Sequence, residues 1–267
     1  MDKKHKIPKV TKPYLKGDTI DRTTLPGAVK FFFGTVVMAI LFLVSGVMMN
    51  FGQQWISILA NTVIMLAAYL FFQQMGLSAG ADAVNQGEIM HARQEKGRPV
   101  AEWERSMCFH PLKGLVSALI GSIPFFLCAL VLAVIAQRQM TNLGALPNWL
   151  SGFEAREEIG GALAYYHETG SMSLEGVLRL IVRMATMPCV NMIGAANKDG
   201  LLILERISPI LMLLPALCYG LGYMGGVRVR STIHTNIALG KKKAKRKQAK
   251  ERRARRTQTH RGPEQLN

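Results

Sequence analysis

Three groups of residues have the types and spacing that chemistry needs. Glu88, His91 and Glu95 fall at i, i+3 and i+7, which is one face of a helix, and Glu-x-x-His is half of the ligand set of carboxylate-bridged di-metal bundles. No second Glu-x-x-His accompanies it, so a solvated helical face is expected and no metal is assigned. Cys108 and His110 stand too close for an ordinary zinc pair, and Pro111 after them marks a turn. The four cysteines, Cys108, Cys128, Cys189 and Cys218, contain no C-x-x-C spacing and are expected as free thiols.

The second group is Glu175, Arg179 and Arg183, which recur every four residues and draw a polar stripe along a helix whose other faces carry Leu178, Ile181, Val182 and Met184. The third is basic: Arg228 and Arg230, then Lys241, Lys242, Lys243, Lys245, Arg246, Lys247, Lys250, Arg252, Arg253, Arg255 and Arg256. Eleven of the sixteen residues 241–256 are Lys or Arg, opposed by Glu251 alone. Such a segment contacts polyanions, whether an anionic leaflet, a protein partner or nucleic acid. It holds no aromatic residue on which bases could stack, so nucleic-acid binding is the lesser expectation and would be independent of sequence. Neither a G-x-x-x-x-G-K-[ST] phosphate loop nor an H-E-x-x-H pair occurs, and no catalytic or cofactor-binding residue is assigned.

The elements that must position these groups are set by hydropathy. Of the 267 residues 49% are hydrophobic and the net charge is +16, yet between Lys30 and Asp82 there is no Asp, Glu, Lys or Arg. A soluble core helix does not need a charge-free run of that length, so the expected fold is all-α: a polytopic helical membrane protein. Residues 1–28 form a basic arm. The first apolar run begins near Val29, is too long for a signal-peptide core and has no small-residue cleavage site after it, so a retained first span is expected. Residues 29–50 and 55–74 make a transmembrane hairpin around a short polar turn, with Trp55 at one headgroup level and Tyr69, Gln73 and Gln74 near the other. Residues 75–113 balance to zero net charge and form a polar loop, divided by Gly97, Arg98 and Pro99 into two short helical halves. Residues 114–137 are a third span bent by Pro124, and residues 207–227 the last, containing Pro209, Pro215 and a Gly222/Gly226 pair.

Between them, 138–206 carries an acidic cap, Glu154, Glu157, Glu158 and Glu168 beside His167, and a helix, 174–196, whose part 177–196 is long enough for a fifth span. Two arginines at mid-membrane would cost about 2.5–3.5 kcal/mol each, so an amphipathic helix on the outer surface is expected, with a re-entrant segment as the alternative. Lys and Arg number eight in the arm with Lys30, five in 75–113, six in 138–206 and fourteen in the tail 228–267. The positive-inside rule then places both termini in the cytoplasm and requires an even number of crossings, four. Beyond Lys30 at the start of the first, the expected spans hold no ionisable side chain of Asp, Glu, His, Lys or Arg, which lowers the expectation of an ion-coupled carrier. Asn61 is expected to hydrogen-bond between helices. The functional expectation is a non-enzymatic accessory or scaffold subunit of the plasma membrane, whose tail meets an anionic leaflet or a cytoplasmic partner. A transporter or channel component is the alternative, and a ribosome- or RNA-contacting biogenesis factor a lesser one.

Overall fold

The computed structural model describes residues 10–48, 53–136, 174–194 and 197–259. Among these the chain is helical throughout, with one isolated parallel bridge between Lys16 and Phe109. The acidic cap expected around 153–169 lies outside the described residues. The helices are α1 (Thr24–Met48), α2 (Gln54–Glu95), α3 (Glu102–Arg105), α4 (Lys113–Ile135), α5 (Leu174–Ala185), α6 (Met187–Ile193), α7 (Lys198–Met224) and α8 (Gly226–Thr259). Four helical rods, α1, α2, α4 and the α7–α8 pair, are long and apolar enough to cross a membrane.

Asp21 starts α1: its Oδ1 accepts from the Thr23 backbone N–H at 2.8 Å and from Thr23 Oγ1 at 2.7 Å, an Asx turn that fixes the chain's entry into the helix. The 25 residues of α1 and the 23 of α4 give lengths of about 37 and 35 Å, enough for a hydrocarbon core of about 30 Å. At 42 residues α2 is nearly twice that. It does not end near Gln74 as the charge pattern suggests, because 75–95 is a polar continuation of the same helix rather than a separate short one. It stops where the Gly97–Pro99 signal sits: Gly97 adopts φ +73°, its N–H donates to Gln94 O and the Arg98 N–H to Arg93 O.

The bundle is knit by the crossing of α2 and α7. A Cβ on Gly76 or Gly80 would run into the carbonyl oxygens of Tyr219 or Tyr223, and one on Gly222 into Gln73 O, so the backbones touch where neither has a side chain. Around this crossing Phe31 packs on Phe72 and Tyr219, with ring centroids 5.5 and 5.4 Å apart, and Phe109 stacks on Tyr223 at 5.3 Å. In α4, Gly114 faces Tyr223 and Gly121 faces Ala28, so α4 runs beside α1 and antiparallel to α7. Thr24, Gly80, Lys113 and Met224 therefore share one end of the bundle, the basic end, while Met48, Gln54, Ile135 and Lys198 share the far end.

The segment 174–196 is where the outer-surface expectation changes. Helices α5 and α6 are bent by 91° at Thr186, and at 12 and 7 residues neither leg reaches across about 30 Å. The element enters the bundle instead. Val182 is buried against Ala129, Leu132 and Met212, Asn191 Nδ2 donates to Gly46 O at 3.0 Å, and Cys189 Sγ lies 3.5 Å from Met65 Sδ, eleven residues along α2 from Gln54. A pair of helices bent this sharply is the geometry of a broken span or of a re-entrant segment, and α6 ends close in sequence to the far-end start of α7.

Candidate functional site

Charged residues gather at three places. The first is at the far end. Helix α7 begins at Lys198, nine residues before the charge-free run, and so takes Glu205 into the bundle about 10 Å from its first residue. Pro209 has no N–H to give the Glu205 carbonyl, and Ser208 Oγ donates to that carbonyl at 2.8 Å instead. The Glu205 side chain is 3% exposed. Its Oε1 accepts from Arg179 Nε at 2.8 Å and from Arg183 Nε and Nη2 at 3.0 and 2.7 Å, and its Oε2 accepts from Arg179 Nη2 at 3.1 Å. Arg179 also reaches Glu175 at 2.7 Å. The Glu175, Arg179, Arg183 stripe thus exists, but it turns inward onto a carboxylate rather than outward to headgroups. An ionisable group lies inside an apolar helix, contrary to the expectation for the spans. Chemically the arrangement pins the re-entrant element to α7 through charge-assisted, partly bidentate hydrogen bonds.

The second place is the basic end, where residues 10–23 lie across three helices. Leu15 N donates to Gly87 O at 3.0 Å, Gly17 N to Phe109 O at 3.1 Å and Val10 N to Thr235 Oγ1 at 3.1 Å. Lys113 Nζ meets Asp21 Oδ2 at 2.7 Å, both side chains 9% exposed, and also donates to Ser106 O. Burial opposes the Asp21 carboxylate, but hydrogen bonds from Lys113 and Thr23 and the Lys113 charge outweigh it and hold its pKa below the ordinary 3.8. Burial raises the Cys108 thiol above 9.0, against the pull of Lys113 and Arg105. His110 faces Thr19 rather than Cys108.

Helix α8 supplies the third. Glu88, on the polar half of α2, receives Arg230 Nε at 3.2 Å and stands 2.7 Å from His234 Nε2, while Arg230 Nη2 donates to Asn85 Oδ1. Glu88 therefore faces α8, and His91 pairs with Glu95 at 3.6 Å. Among the described residues no three His, Cys, Asp or Glu side chains stand close enough to hold a metal ion. Arg230, grouped by sequence with the partner-contacting tail, is committed to this base. Beyond it Lys241, Lys242, Lys243, Lys245, Arg246, Lys247, Lys250 and Arg252 are all exposed, as is Arg228. Arg253, Arg255 and Arg256 lie on the last turns of α8, where side chains are outside the described part.

Two glycine-rich runs match catalytic or cofactor patterns by letter. Gly76-Leu77-Ser78-Ala79-Gly80 fits G-x-S-x-G, and Gly220, Gly222 and Gly225 fit G-x-G-x-x-G. A nucleophile elbow needs a strand-to-helix turn and a dinucleotide loop needs a strand before a helix start. The first run lies inside α2 and the second at the end of α7, so their glycines serve close helix packing, Gly220 against Leu115 of α4 and the others at the α2–α7 crossing. Asn61 differs from expectation too: buried on α2, it donates to Ser57 O of its own helix at 2.7 Å and leaves Oδ1 without a partner among the described residues. No family model, curated protein or solved structure matches the chain.

Proposed function

We propose that this chain is a plasma-membrane scaffold subunit with both termini in the cytoplasm, which holds a basic helix at a set position for a polyanionic cytoplasmic partner. The observation that carries the reading is the bracing of the base of α8. Glu88 grips Arg230 and His234, the arm reaches Thr235, and past that point every basic side chain described is exposed. A tail serving only to set topology needs no such base. With α7 it forms one rod of 55 residues, Lys198–Arg252, interrupted only at Gly225. Lys241 then lies about 22 Å beyond Gly226 along the axis, whereas the field of an anionic leaflet is screened over about 8 Å. That distance favours a partner in the aqueous phase over the leaflet itself.

Titration of the full chain in zwitterionic nanodiscs with a fluorescent polyanion tests this. Single-stranded RNA and polyglutamate give the two arms, each read between low and physiological salt. Binding that weakens steeply with salt and disappears when Lys241 to Lys250 are changed to Gln supports the reading. Equal binding by the Gln variant, or binding seen only with anionic lipid in the disc, contradicts it.

A second reading, a transporter or channel component, is favoured by the charge cluster at Glu205 on a re-entrant element. Solute flux into proteoliposomes that is abolished by Arg183→Gln supports it.

A further inference from the structure

Helices α1 and α2 are neighbours in sequence, yet they do not pack along their length: α1 leans on α4 and α2 on α7, and α6 is wedged between them. Behind the wedge is a cavity of about 50 Å³, lined by Met38 and Phe42 of α1, Met65 and Tyr69 of α2, and Pro188 and Cys189 of α6. On the outer side of Met38 and Phe42 a second, apolar groove runs between α1 and α2, bordered by Val37, Leu41, Ile64 and Phe71. Met38 and Phe42 line both, so these two side chains alone are shared between the interior and the surface that faces hydrocarbon.

We infer that the inner cavity receives the carbonyl end of an uncharged lipid whose chain lies in the outer groove, reached sideways from the bilayer between α1 and α2. Three observations argue for that chemistry. The surroundings of the groove are hydrocarbon in any placement where the four apolar rods cross a membrane, so a lipid chain is what the opening meets. The lining excludes a charged group: the cavity wall carries no Asp, Glu, Lys, Arg or His, and its threonines are spent on their own helices, Thr35 Oγ1 donating to Phe31 O at 3.1 Å and Thr186 Oγ1 to Val182 O at 2.9 Å. The exception is Tyr69, whose hydroxyl makes no hydrogen bond among the described residues although the ring lines the cavity. A phenol in apolar surroundings wants a partner, and a lipid oxygen of ester or quinone-carbonyl type supplies one. Methionines on three sides, Met38, Met65 and Met212, let the wall adapt to a chain, and Pro188 and Pro215 complete the lining.

Proteoliposomes containing the full chain, doped with a diazirine-bearing acyl ester in one arm and a diazirine-bearing isoprenoid quinone in the other, test the site by photolabelling and peptide mapping. Label at Met38, Phe42, Met65 or Cys189, competed by the matching unlabelled lipid, is expected in one arm and identifies the polar group. Ala39→Phe fills the cavity and should lower that label about tenfold. Tyr69→Phe keeps the packing and should weaken competition roughly fivefold, the effect of one hydrogen bond. Labelling no greater than at bilayer-facing Val134 and Ile210, or insensitive to both substitutions in monodisperse protein, overturns the site. So does a second protein chain crosslinked through Val37 in place of the lipid.

Discussion

Glu205 shows what a single carboxylate does when two guanidiniums converge on it away from water. Removing it takes from Arg179 and Arg183 the buried carboxylate they share, and breaking a buried ionic set by deleting one partner is far more costly than replacing the whole set with apolar groups. Glu205→Gln should therefore destabilise the purified protein by about 3 kcal/mol, while the triple change Glu205→Leu, Arg179→Met and Arg183→Met should recover most of that loss. Unfolding in detergent read by tryptophan fluorescence checks both, and a Glu205→Gln midpoint equal to wild type would show the cluster contributes nothing. Asp21 gives a pH prediction whose sign follows from its depressed pKa. The stabilisation is complete above the unfolded value of 3.8 and is lost as pH falls through the lower folded value. The thermal midpoint should thus drop on acidification below about pH 4, and Asp21→Asn should remove that part of the drop while costing about 2 kcal/mol at neutral pH.

At the scale of elements, the crossing of α2 and α7 depends on having no side chain at Gly76 and Gly80. Gly76→Leu should push the helices apart and lose at least about 3 kcal/mol, seen as loss of monodisperse protein, whereas Ser78→Leu, two residues on and exposed, should be tolerated. The spacing of Gly222 and Gly226 is legible as a close-approach signal, but its partner stretch is not, because Gly76 and Gly80 sit where polar residues begin and the pattern there suggests a loop. The same cause hides the continuation of α2 to Glu95: a helix packed on another helix outside the apolar run has no membrane-length signature. For α8 the base is the critical part. Replacing Arg230 and His234 by Ala should broaden the distance between spin labels at positions 92 and 238, measured by pulsed electron resonance. A distribution as narrow as in wild type would mean that the ion pairs do not hold the helix.

For the whole molecule, the four apolar rods are legible directly, since charge-free runs as long as 31–81 and 114–137 are the mark of helices that cross a bilayer. The pairing of charges across long separations is not. Glu205 meets arginines 22 and 26 residues away, and Glu88 meets His234 at a separation of 146. Each residue alone looks like a solvated one, so in the linear pattern Glu205 marks a boundary and 174–196 a surface helix. Folded together, these pairs gather the arm, the 96–112 connector and α8 at one end and send the re-entrant element into the other. The most direct test is single-cysteine accessibility in a chain whose Cys108, Cys128, Cys189 and Cys218 are replaced by Ala. Gly97→Cys, Lys243→Cys and Lys198→Cys would be labelled with a membrane-impermeant maleimide in right-side-out and inverted vesicles. Positions 97 and 243 should react only in inverted vesicles and position 198 only in right-side-out ones; reaction of 97 and 243 from opposite sides would contradict four crossings with a re-entrant α5–α6.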